Sequence, residues 1–223
     1  MQIIGHRGAA GIAPENTVKG FEAALQAGVD MIEFDVRATK DGKVVVIHDP
    51  NTLRTGFKWN SIKKTPYSKL INVGKADQKI PTLQEALDVI YPKAKADIEI
   101  KSSGCEEAVV ENIERLVKKD AAYEDFLVTS FNLKILEKVH KLNPKIKLGL
   151  IHGAFSYSFL KAKVPLSTVV FNYLTITKRV MAKAKDKNLI VFAWTIDSPS
   201  RAQSLKKIGV DGIITNRPDK IKA

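Results

Sequence analysis

The chain has 223 residues, 44% apolar and 27% charged, a composition that excludes disordered and fibrous proteins. Lys and Arg outnumber Asp and Glu by 36 to 24, and the resulting formal charge of +12 favours anionic partners. The basic residues are spread along the whole chain without an RNA- or DNA-binding motif, which disfavours nucleic acid and leaves phosphate compounds or an anionic membrane surface.

The single cysteine, Cys105, cannot form an internal disulfide, and we expect it to be a small buried packing residue. No apolar run approaches the roughly 20 residues of a membrane span, and the opening MQIIGHRG is typical of a strand, not of a leader. We therefore expect a cytoplasmic protein with one domain over residues 1–223 and no stable membrane association. The oligomeric state is not indicated.

Short β-branched runs alternate with amphipathic segments, the pattern of βα units around a parallel sheet. Strands are predicted at residues 3–6, 31–36, 44–48, 97–101, 126–130, 146–151, 168–171, 190–195 and 212–215. Helices are predicted at residues 17–27, 83–91, 106–119, 133–142, 155–162, 176–187 and 199–207. Asn16 and Thr82 are expected N-caps, Glu85 completes a capping box, and Pro199 suits a first helical turn.

The third predicted strand is expected to form a hairpin with the second. The two runs are only seven residues apart, too few for a parallel crossover, and Asp41-Gly42 is a strong turn sequence. A two-residue turn at 41 and 42 would pair positions that sum to 83 and place His48 opposite Asp35 on the same face.

The other eight strands predict a (β/α)8 TIM barrel with this hairpin as an extension after the second strand, although a doubly wound open sheet has the same alternation. Residues 49–81 lack clear periodicity and contain the basic and aromatic string RTGFKWNSIKK. Loops of such length in compact domains are commonly binding loops or lids.

Acidic side chains lie towards the ends of successive strands, where barrel active sites are built. Glu33 and Asp35 alternate on one strand and therefore share a face, as do Glu99 and Lys101 on the next parallel strand. Three converging carboxylates repel one another unless a cation is present, and oxygen ligands suit Mg²⁺ or Ca²⁺. We predict one divalent cation at Glu33, Asp35 and Glu99; the alternative is that these acids pair with Arg7 and Lys101.

Two of the four histidines, His6 and His48, end inward-facing strands. Histidine is the usual general acid or base near neutral pH, so this pair predicts acid/base catalysis, whereas a single histidine would more often be structural. His140 lies on a helix face and His152 follows the sixth strand, and neither belongs to such a pair. We predict structural roles for both.

Arg7 and Lys101 are the bases expected beside this cluster. Arg can hold two oxygens of a phosphate group bidentately, while Lys acts as a point charge. Both residues are predicted to bind an anionic group, to compensate the carboxylates, or to do both.

These residues belong to a series of short motifs. The motifs are GHRG at 5–8, PENT at 14–17, IEFDV at 32–36, TKDGKVVVIHD at 39–49, IPTLQEAL at 80–87, IEIK at 98–101, SF at 130–131, WT at 194–195 and GVDGIITNRPD at 209–219. Most are weak singly, but this order and spacing are highly specific. Over nearly its whole length the sequence resembles the glycerophosphodiester phosphodiesterase family.

The resemblance implies a barrel enzyme of lipid and glycerol metabolism that hydrolyses glycerophosphodiesters to sn-glycerol 3-phosphate and an alcohol. It implies a cation held by Glu33, Asp35 and Glu99, His6 and His48 as the acid/base pair, and Arg7 and Lys101 on the phosphate. It also suggests Trp194 at the barrel mouth near the glycerol moiety, with core packing as the alternative. Whether water or a neighbouring glycerol hydroxyl attacks, the latter giving a cyclic phosphate, is left open.

The sequence departs from the family at Asp97 and Asp197, where members often have Asn. Asp97 would face inward, and we expect it to pair with a base at the barrel floor. Residues 51–80 match no subgroup, so the alcohol is not indicated.

Two other functions compete with this interpretation. Lysophospholipase D activity at a membrane surface is suggested by Phe57 and Trp59 among Lys58, Lys63 and Lys64. A non-catalytic anion-binding barrel would use the positive charge alone, but such a role would not require two histidines and three acids.

Overall fold

The structure is a computed structural model that describes residues 1–56, 58–72, 79–154 and 157–221. In those ranges the strands are β1 (Gln2–Gly5), β2 (Met31–Ala38), β3 (Val44–Val46), β4 (Lys95–Ile100), β5 (Phe126–Ser130), β6 (Lys147–His152), β7 (Thr168–Asn172), β8 (Ile190–Trp194) and β9 (Gly212–Thr215). The α-helices there are α1 (Val18–Gln26), α2 (Leu53–Gly56), α3 (Leu83–Ile90), α4 (Glu106–Val117), α5 (Leu133–Leu142), α6 (Lys178–Asp186) and α7 (Pro199–Lys207). Every predicted strand is confirmed to within two residues at each end.

Eight of the strands close into a ring. Their order is β1-β9-β8-β7-β6-β5-β4-β2, all pairs are parallel, and β1 pairs with β2 to complete the circle. An open doubly wound sheet would leave two unpaired edges, so the closure confirms the TIM barrel and excludes the alternative. The ninth strand, β3, lies outside the ring and pairs antiparallel with β2, which confirms the predicted hairpin.

The alternation along β2 separates apolar from acidic side chains. Phe34 and Val36 pack between the barrel and its helices, and full burial of such side chains contributes roughly 1.5–3 kcal/mol each. Met31, Glu33 and Asp35 occupy the opposite, inward face. Met31 is part of an apolar layer inside the barrel formed by Ile4, Met31, Leu127, Ile151, Val170, Phe192 and Ile214. The two acids follow Met31 towards the carboxyl end of the strand and therefore stand above this apolar floor.

The register of the hairpin differs from the predicted one. The observed pairs Val36↔Val46 and Ala38↔Val44 sum to 82, because the turn holds three residues, 40–42, and Thr39 N–H donates to the Lys43 carbonyl at 2.9 Å. The prediction that His48 lies opposite Asp35 is therefore wrong. The backbone N–H of Ile47 donates to the Asp35 carbonyl at 2.9 Å, and His48 follows one residue beyond.

The start of α1 also corrects a prediction. Asn16 has a φ of 56° and is not the N-cap; Thr17 is, and its hydroxyl accepts from Gly20 N–H at 3.0 Å. The capping box of α3 is confirmed, since Thr82 and Glu85 bond reciprocally, and Pro199 lies in the first turn of α7 as expected.

The connections after β3 and after β6 contain short helical elements. The predicted helix at 155–162 is wrong in type, because its described part is a 3₁₀ helix at Ser158–Lys161, while residues 155 and 156 lie outside the described residues. The segment after β3 contains α2 and is anchored by Ile62 and Leu70, which pack against Val45.

Across the described ranges, no helix combines the length and apolar character needed to span a membrane.

Candidate active site

The register between β2 and β4 brings the predicted acids together. Glu33 is paired with Asp97, and Asp35 with Glu99, so four carboxylates stand side by side on two neighbouring strands. Oxygen atoms of Glu33, Asp35 and Glu99 all lie within 4.8 Å of one another, and the three side chains are buried. Burial and the neighbouring acids raise the pKa of Glu33 well above its usual range, and burial and Asp35 raise the pKa of Glu99 to about 7.

Both predicted bases compensate part of this negative charge. Lys101 Nζ lies 2.6 Å from Glu99 Oε1 and 3.5 Å from Asp35 Oδ1, while Arg7 Nε lies 3.3 Å from Asp35 Oδ2. Glu33 is contacted instead by the Arg7 backbone N–H at 2.8 Å and by His6 Nε2 at 4.0 Å. With all three acids ionised, two cations leave a negative excess, and the raised pKa values of Glu33 and Glu99 reflect the cost of that charge. The all-oxygen donor set fits a divalent hard ion.

Asp97 does not pair with a base. Its Oδ1 accepts a hydrogen bond from the Thr129 hydroxyl at 2.7 Å, and among the described residues no ion pair to it is found. Burial, reinforced by the charges of Glu99 and Asp35, raises the pKa of Asp97 to about 8, although the Thr129 bond opposes this. The prediction that Asp97 pairs with a base at the barrel floor is therefore wrong, because the layer beneath the acids is apolar.

The GHRG motif makes a tight turn after β1. Arg7 has a φ of 49°, a left-handed conformation that costs a residue with a side chain about 1–2 kcal/mol. Gly8 follows with a φ of 88°, and a Cβ there would lie 2.6 Å from the backbone of Gly20, so a larger residue is excluded. This turn directs the Arg7 N–H at Glu33 and its guanidinium at Asp35.

The PENT motif positions the middle acid of the cluster. Asn16 Nδ2 donates to Asp35 Oδ2 at 2.8 Å, and Asn16 Oδ1 accepts from the Asp35 backbone N–H at 3.2 Å. Both bonds are buried, so Asn16 fixes the orientation of a carboxylate that has little room to rotate. The neighbouring Glu15 accepts from Arg7 Nη1 at 2.9 Å.

His6 is held by an amide whose own orientation is defined. Asn216 Nδ2 donates to Asp197 Oδ2 at 2.9 Å, which leaves Asn216 Oδ1 to accept from His6 Nδ1 at 2.7 Å. The proton of the neutral ring therefore lies on Nδ1, and Nε2 faces the acid cluster. Burial and the charge of Arg7 lower the pKa of His6, which favours the neutral ring. Asp197, the second departure from the family pattern, thus orients Asn216.

His48 is held by a carboxylate. Its Nδ1 lies 2.7 Å from Asp49 Oδ1. Hydrogen bonds from Arg54 and from His48 lower the pKa of Asp49 to about 2, so Asp49 is ionised and can only accept. His48 therefore donates through Nδ1 and keeps Nε2 free. Burial lowers the pKa of His48, while Asp35 and Asp49 oppose that shift.

Arg54 connects these two sides of the site. Its Nε donates to Asp49 Oδ2 at 2.6 Å, and its Nη1 and Nη2 donate to the two oxygens of Glu15 at 2.7 and 2.8 Å. Burial alone would raise the pKa of Glu15, but the bonds from Arg54 and Arg7 lower it to about 2. Glu15, Asp49, Arg54 and Asn216 were not predicted as site residues, although Glu15, Asp49 and Asn216 lie inside the sequence motifs.

Most of the predicted site residues line one pocket. It encloses about 450 Å³ of empty space, open solvent at its mouth included, and all predicted site residues except the buried Asp35 line the pocket. One wall is the edge-to-face pair of Phe131 and Trp194, whose ring centroids are 6.0 Å apart, and Lys101 Nζ lies 5.4 Å from the Phe131 ring. Trp194 Nε1 is buried and finds no hydrogen-bond partner among the described residues.

The residues predicted to be structural lie away from this pocket's lining. His152 stacks on Phe171 with ring centroids 5.0 Å apart, and burial lowers its pKa to about 4. Cys105 is fully buried in the core, and burial raises the pKa of its thiol to about 12. His140 lies on α5, on the outside of the barrel.

Known proteins are similar to this chain in sequence and in fold. The model of the glycerophosphoryl diester phosphodiesterase family matches residues 6–220. The chain is 33% identical to a glycerophosphodiester phosphodiesterase of Caldanaerobacter subterraneus subsp. tengcongensis, over 97% of this chain and 94% of that protein. It is 34% identical to a glycerophosphodiester phosphodiesterase of Bacillus altitudinis, over 98% of this chain and 96% of that protein. A phosphodiesterase of Oleispira antarctica, solved with the product sn-glycerol 3-phosphate, has a TM-score of 0.89 and 29% identity, covering 99% of this chain and 95% of that one.

Proposed function

The chain belongs to the glycerophosphoryl diester phosphodiesterase family and is a phosphodiesterase, and we propose that it hydrolyses glycerophosphodiesters to sn-glycerol 3-phosphate and an alcohol by cation-assisted acid/base catalysis. The observation that carries the proposal is the convergence of His6 and His48 on one pocket beside the cluster of Glu33, Asp35 and Glu99. Each histidine commits Nδ1 to an acceptor and leaves Nε2 for the substrate. Residues 1–223 act in this proposal as one barrel domain.

The basic residues are proposed to hold the phosphodiester. Arg7 and Lys101 already face the pocket and are each 18% exposed or less in their side chains, so their charges act in a poorly solvated place. They would contact the two non-bridging oxygens and orient the phosphorus towards the attacking oxygen. A Mg²⁺ or Ca²⁺ ion held by Glu33, Asp35 and Glu99 would supply further charge stabilisation when bound.

The histidines are proposed to move the protons. His6 has a lowered pKa because it is buried beside Arg7, so its neutral Nε2 suits removal of a proton from the attacking oxygen. Burial lowers the pKa of His48 as well, but the ionised Asp49 bonded to its Nδ1 opposes that shift and stabilises the protonated ring, which would give its Nε2 proton to the departing alkoxide. We therefore assign His6 as base and His48 as acid. Trp194 and Phe131 form an apolar wall on which the glycerol carbons can pack.

The test is release of glycerol 3-phosphate from glycerophosphoethanolamine in the presence of Mg²⁺ or Ca²⁺, measured with a coupled dehydrogenase assay. The matched control is the His6→Ala, His48→Ala double variant purified in the same way. Release by the wild-type protein and not by the control is expected. Equal rates for the two proteins, at the level of buffer alone, would contradict the proposal.

Lysophospholipase D activity is a second candidate, favoured by apolar side chains around the barrel mouth. Leu53 and Trp59, in the segment after β3, are 57% and 65% exposed, and Leu174, just after β7, is 68% exposed. The exposed Lys58, Lys63 and Lys64 belong to the same segment as Trp59, and Phe57 lies outside the described residues. Such a rim could contact an acyl chain or a lipid surface.

Comparing lysophosphatidylcholine with glycerophosphocholine as substrates separates the two candidates. If the rim binds lipid, Trp59→Ala should lower turnover of the lysolipid and spare the water-soluble diester. Equal turnover of the lysolipid by wild type and Trp59→Ala, at a rate below that of glycerophosphocholine, would remove this candidate.

A further inference from the structure

We infer that Arg54 is a positioning residue that fixes the orientations of His48 and Arg7 at the same time, acting through Asp49 and Glu15. The inference rests on the proposed function, because it assigns His48 to proton transfer and Arg7 to phosphate binding. Arg54 touches neither the pocket nor the acid cluster, and it comes from α2, outside the barrel ring.

The contacts of Arg54 use its whole guanidinium. Nε donates to Asp49 Oδ2 at 2.6 Å, while Nη1 and Nη2 form a bidentate pair with Glu15 at 2.7 and 2.8 Å. The same Glu15 accepts from Arg7 at 2.9 Å, and the same Asp49 accepts from His48 at 2.7 Å. The result is a continuous chain of charged hydrogen bonds, Arg7–Glu15–Arg54–Asp49–His48.

This chain links two loops of the barrel mouth. Arg7 and Glu15 belong to the connection between β1 and α1, whereas Asp49 and Arg54 belong to the segment after β3. Within the described parts of these two loops, the hydrogen bonds that join them are those of Arg54 to Glu15. Removing Arg54 would leave His48 as the side-chain partner of Asp49 and Arg7 as that of Glu15.

Arginine is required by this geometry. Its planar fork presents Nε on one edge and two Nη atoms towards the other carboxylate, so both acids are held in fixed directions. A lysine ammonium would keep the positive charge but could not bind both acids in these directions. The charge alone therefore does not account for the arrangement.

A purely structural role predicts something different. The Arg54 side chain is 47% exposed, and ion pairs with that exposure contribute little to folding stability. We therefore expect its removal to alter the ring of His48 and the rate of proton transfer more than the stability of the barrel. Without Arg54, Asp49 would no longer be held in place and would lose its bond to His48. The neutral His48 ring would then populate the Nε2–H tautomer and turn away from the pocket.

The experiment compares Arg54→Ala and Arg54→Lys with Arg115→Ala as the matched control. Arg115 forms an exposed ion pair with Asp88 at 2.8 Å between α4 and α3, away from the mouth. Arg54→Ala and Arg54→Lys should each lower kcat for glycerophosphoethanolamine about 10- to 100-fold, by analogy with the loss of residues that orient metal ligands. Arg115→Ala should match the wild-type protein.

Two further measurements separate positioning from general damage. Long-range ¹⁵N–¹H NMR of the histidine rings, assigned with His48→Gln, should show the Nδ1–H tautomer of His48 in wild type and a mixture in Arg54→Ala. Guanidinium chloride at non-denaturing concentration should partly restore kcat of Arg54→Ala, by occupying the vacated space, and should not help Arg54→Lys.

An unchanged His48 tautomer in Arg54→Ala, or a kcat within twofold of wild type, would overturn the inference. So would full activity of Arg54→Lys, because charge would then suffice. If the wild-type protein itself does not hydrolyse glycerophosphodiesters, the proposed function fails, while the tautomer comparison still decides whether Arg54 positions His48.

Discussion

His6 and His48 present the same ring atom to the pocket through different partners. An amide, itself fixed by Asp197, accepts from His6, whereas an ionised carboxylate accepts from His48. A neutral acceptor stabilises a protonated ring less than a carboxylate does, so the two histidines suit different steps. This difference supports the proposed assignment of His6 as base and His48 as acid.

The assignment predicts a leaving-group effect. His6→Ala and His48→Ala should each lower the rate on glycerophosphoethanolamine by roughly 10²-fold or more. On a glycerol p-nitrophenyl phosphodiester, whose departing oxygen scarcely needs a proton, His48→Ala should keep most of the wild-type rate and His6→Ala should not. Steady-state kinetics with both substrates provide the measurement. The reverse pattern would exchange the roles, and near-normal rates for both variants would remove the pair from catalysis.

A second residue-scale prediction concerns Glu99→Gln. The amide keeps the shape of the side chain and removes its negative charge, so divalent-cation affinity should fall by at least tenfold, as measured by calorimetry with Mg²⁺ or Ca²⁺. Glu114→Gln is a suitable control, because Glu114 lies on α4 outside the barrel. Equal affinities for Glu99→Gln and the control would leave Glu99 with a purely structural role.

At the scale of elements, the strands could be predicted because burial imposes a simple alternation on each of them. The hairpin was also predictable, but its register was not, since Asp41-Gly42 is compatible with turns of two or three residues. The predicted cap at Asn16 failed for a tertiary reason. The left-handed backbone at Asn16 serves a bond to Asp35, which lies 19 residues away in the chain.

The length and irregularity of the segment after β3 predicted a binding loop or lid, but not the link that Arg54 makes at the site. Arg54 lies in an aperiodic stretch. Its partner Glu15 is far from it along the chain, and neither Glu15 nor Asp49 was a predicted site residue, so only the folded geometry identifies the link. The helix predicted at 155–162 shows a similar limit, because the described part of that connection is only a 3₁₀ turn.

The link between these two loops predicts a pH dependence of stability. Glu15 and Asp49 have folded pKa values of about 2, below their usual values, because Arg54 binds both. Groups with lowered folded pKa values stabilise the fold above their unfolded pKa and lose that contribution as the pH falls towards the folded pKa. Thermal unfolding of wild type and Arg54→Ala should therefore differ most above pH 5, and the difference should shrink as the pH falls from 5 to 2. A difference in Tm that does not change between pH 6 and pH 2 would argue against these two ion pairs.

At the scale of the whole molecule, closure of the barrel explains why so many candidate residues could be found from the sequence. Parallel strands bring all their carboxyl ends to one face, so residues at strand ends converge whatever their distance along the chain. Glu33, Glu99 and Trp194 are separated by many residues and still line one pocket. What the sequence could not indicate was the set of partners that orient them, because those bonds depend on loop conformation.

The same closure makes the acid cluster dependent on a counter-charge, which leads to the last prediction. Exhaustive chelation should abolish hydrolysis of glycerophosphoethanolamine, and Mg²⁺ or Ca²⁺ should restore it, because Lys101 and Arg7 leave the buried cluster with excess negative charge. The ion should also raise Tm, since a ligand at 100 times its Kd stabilises the folded state by about 2.7 kcal/mol. Chelator saturated beforehand with the same ion is the control for inhibition by the chelator itself. Full turnover after chelation, together with a Tm that no divalent ion shifts, would mean that protons and the two bases alone balance the three acids.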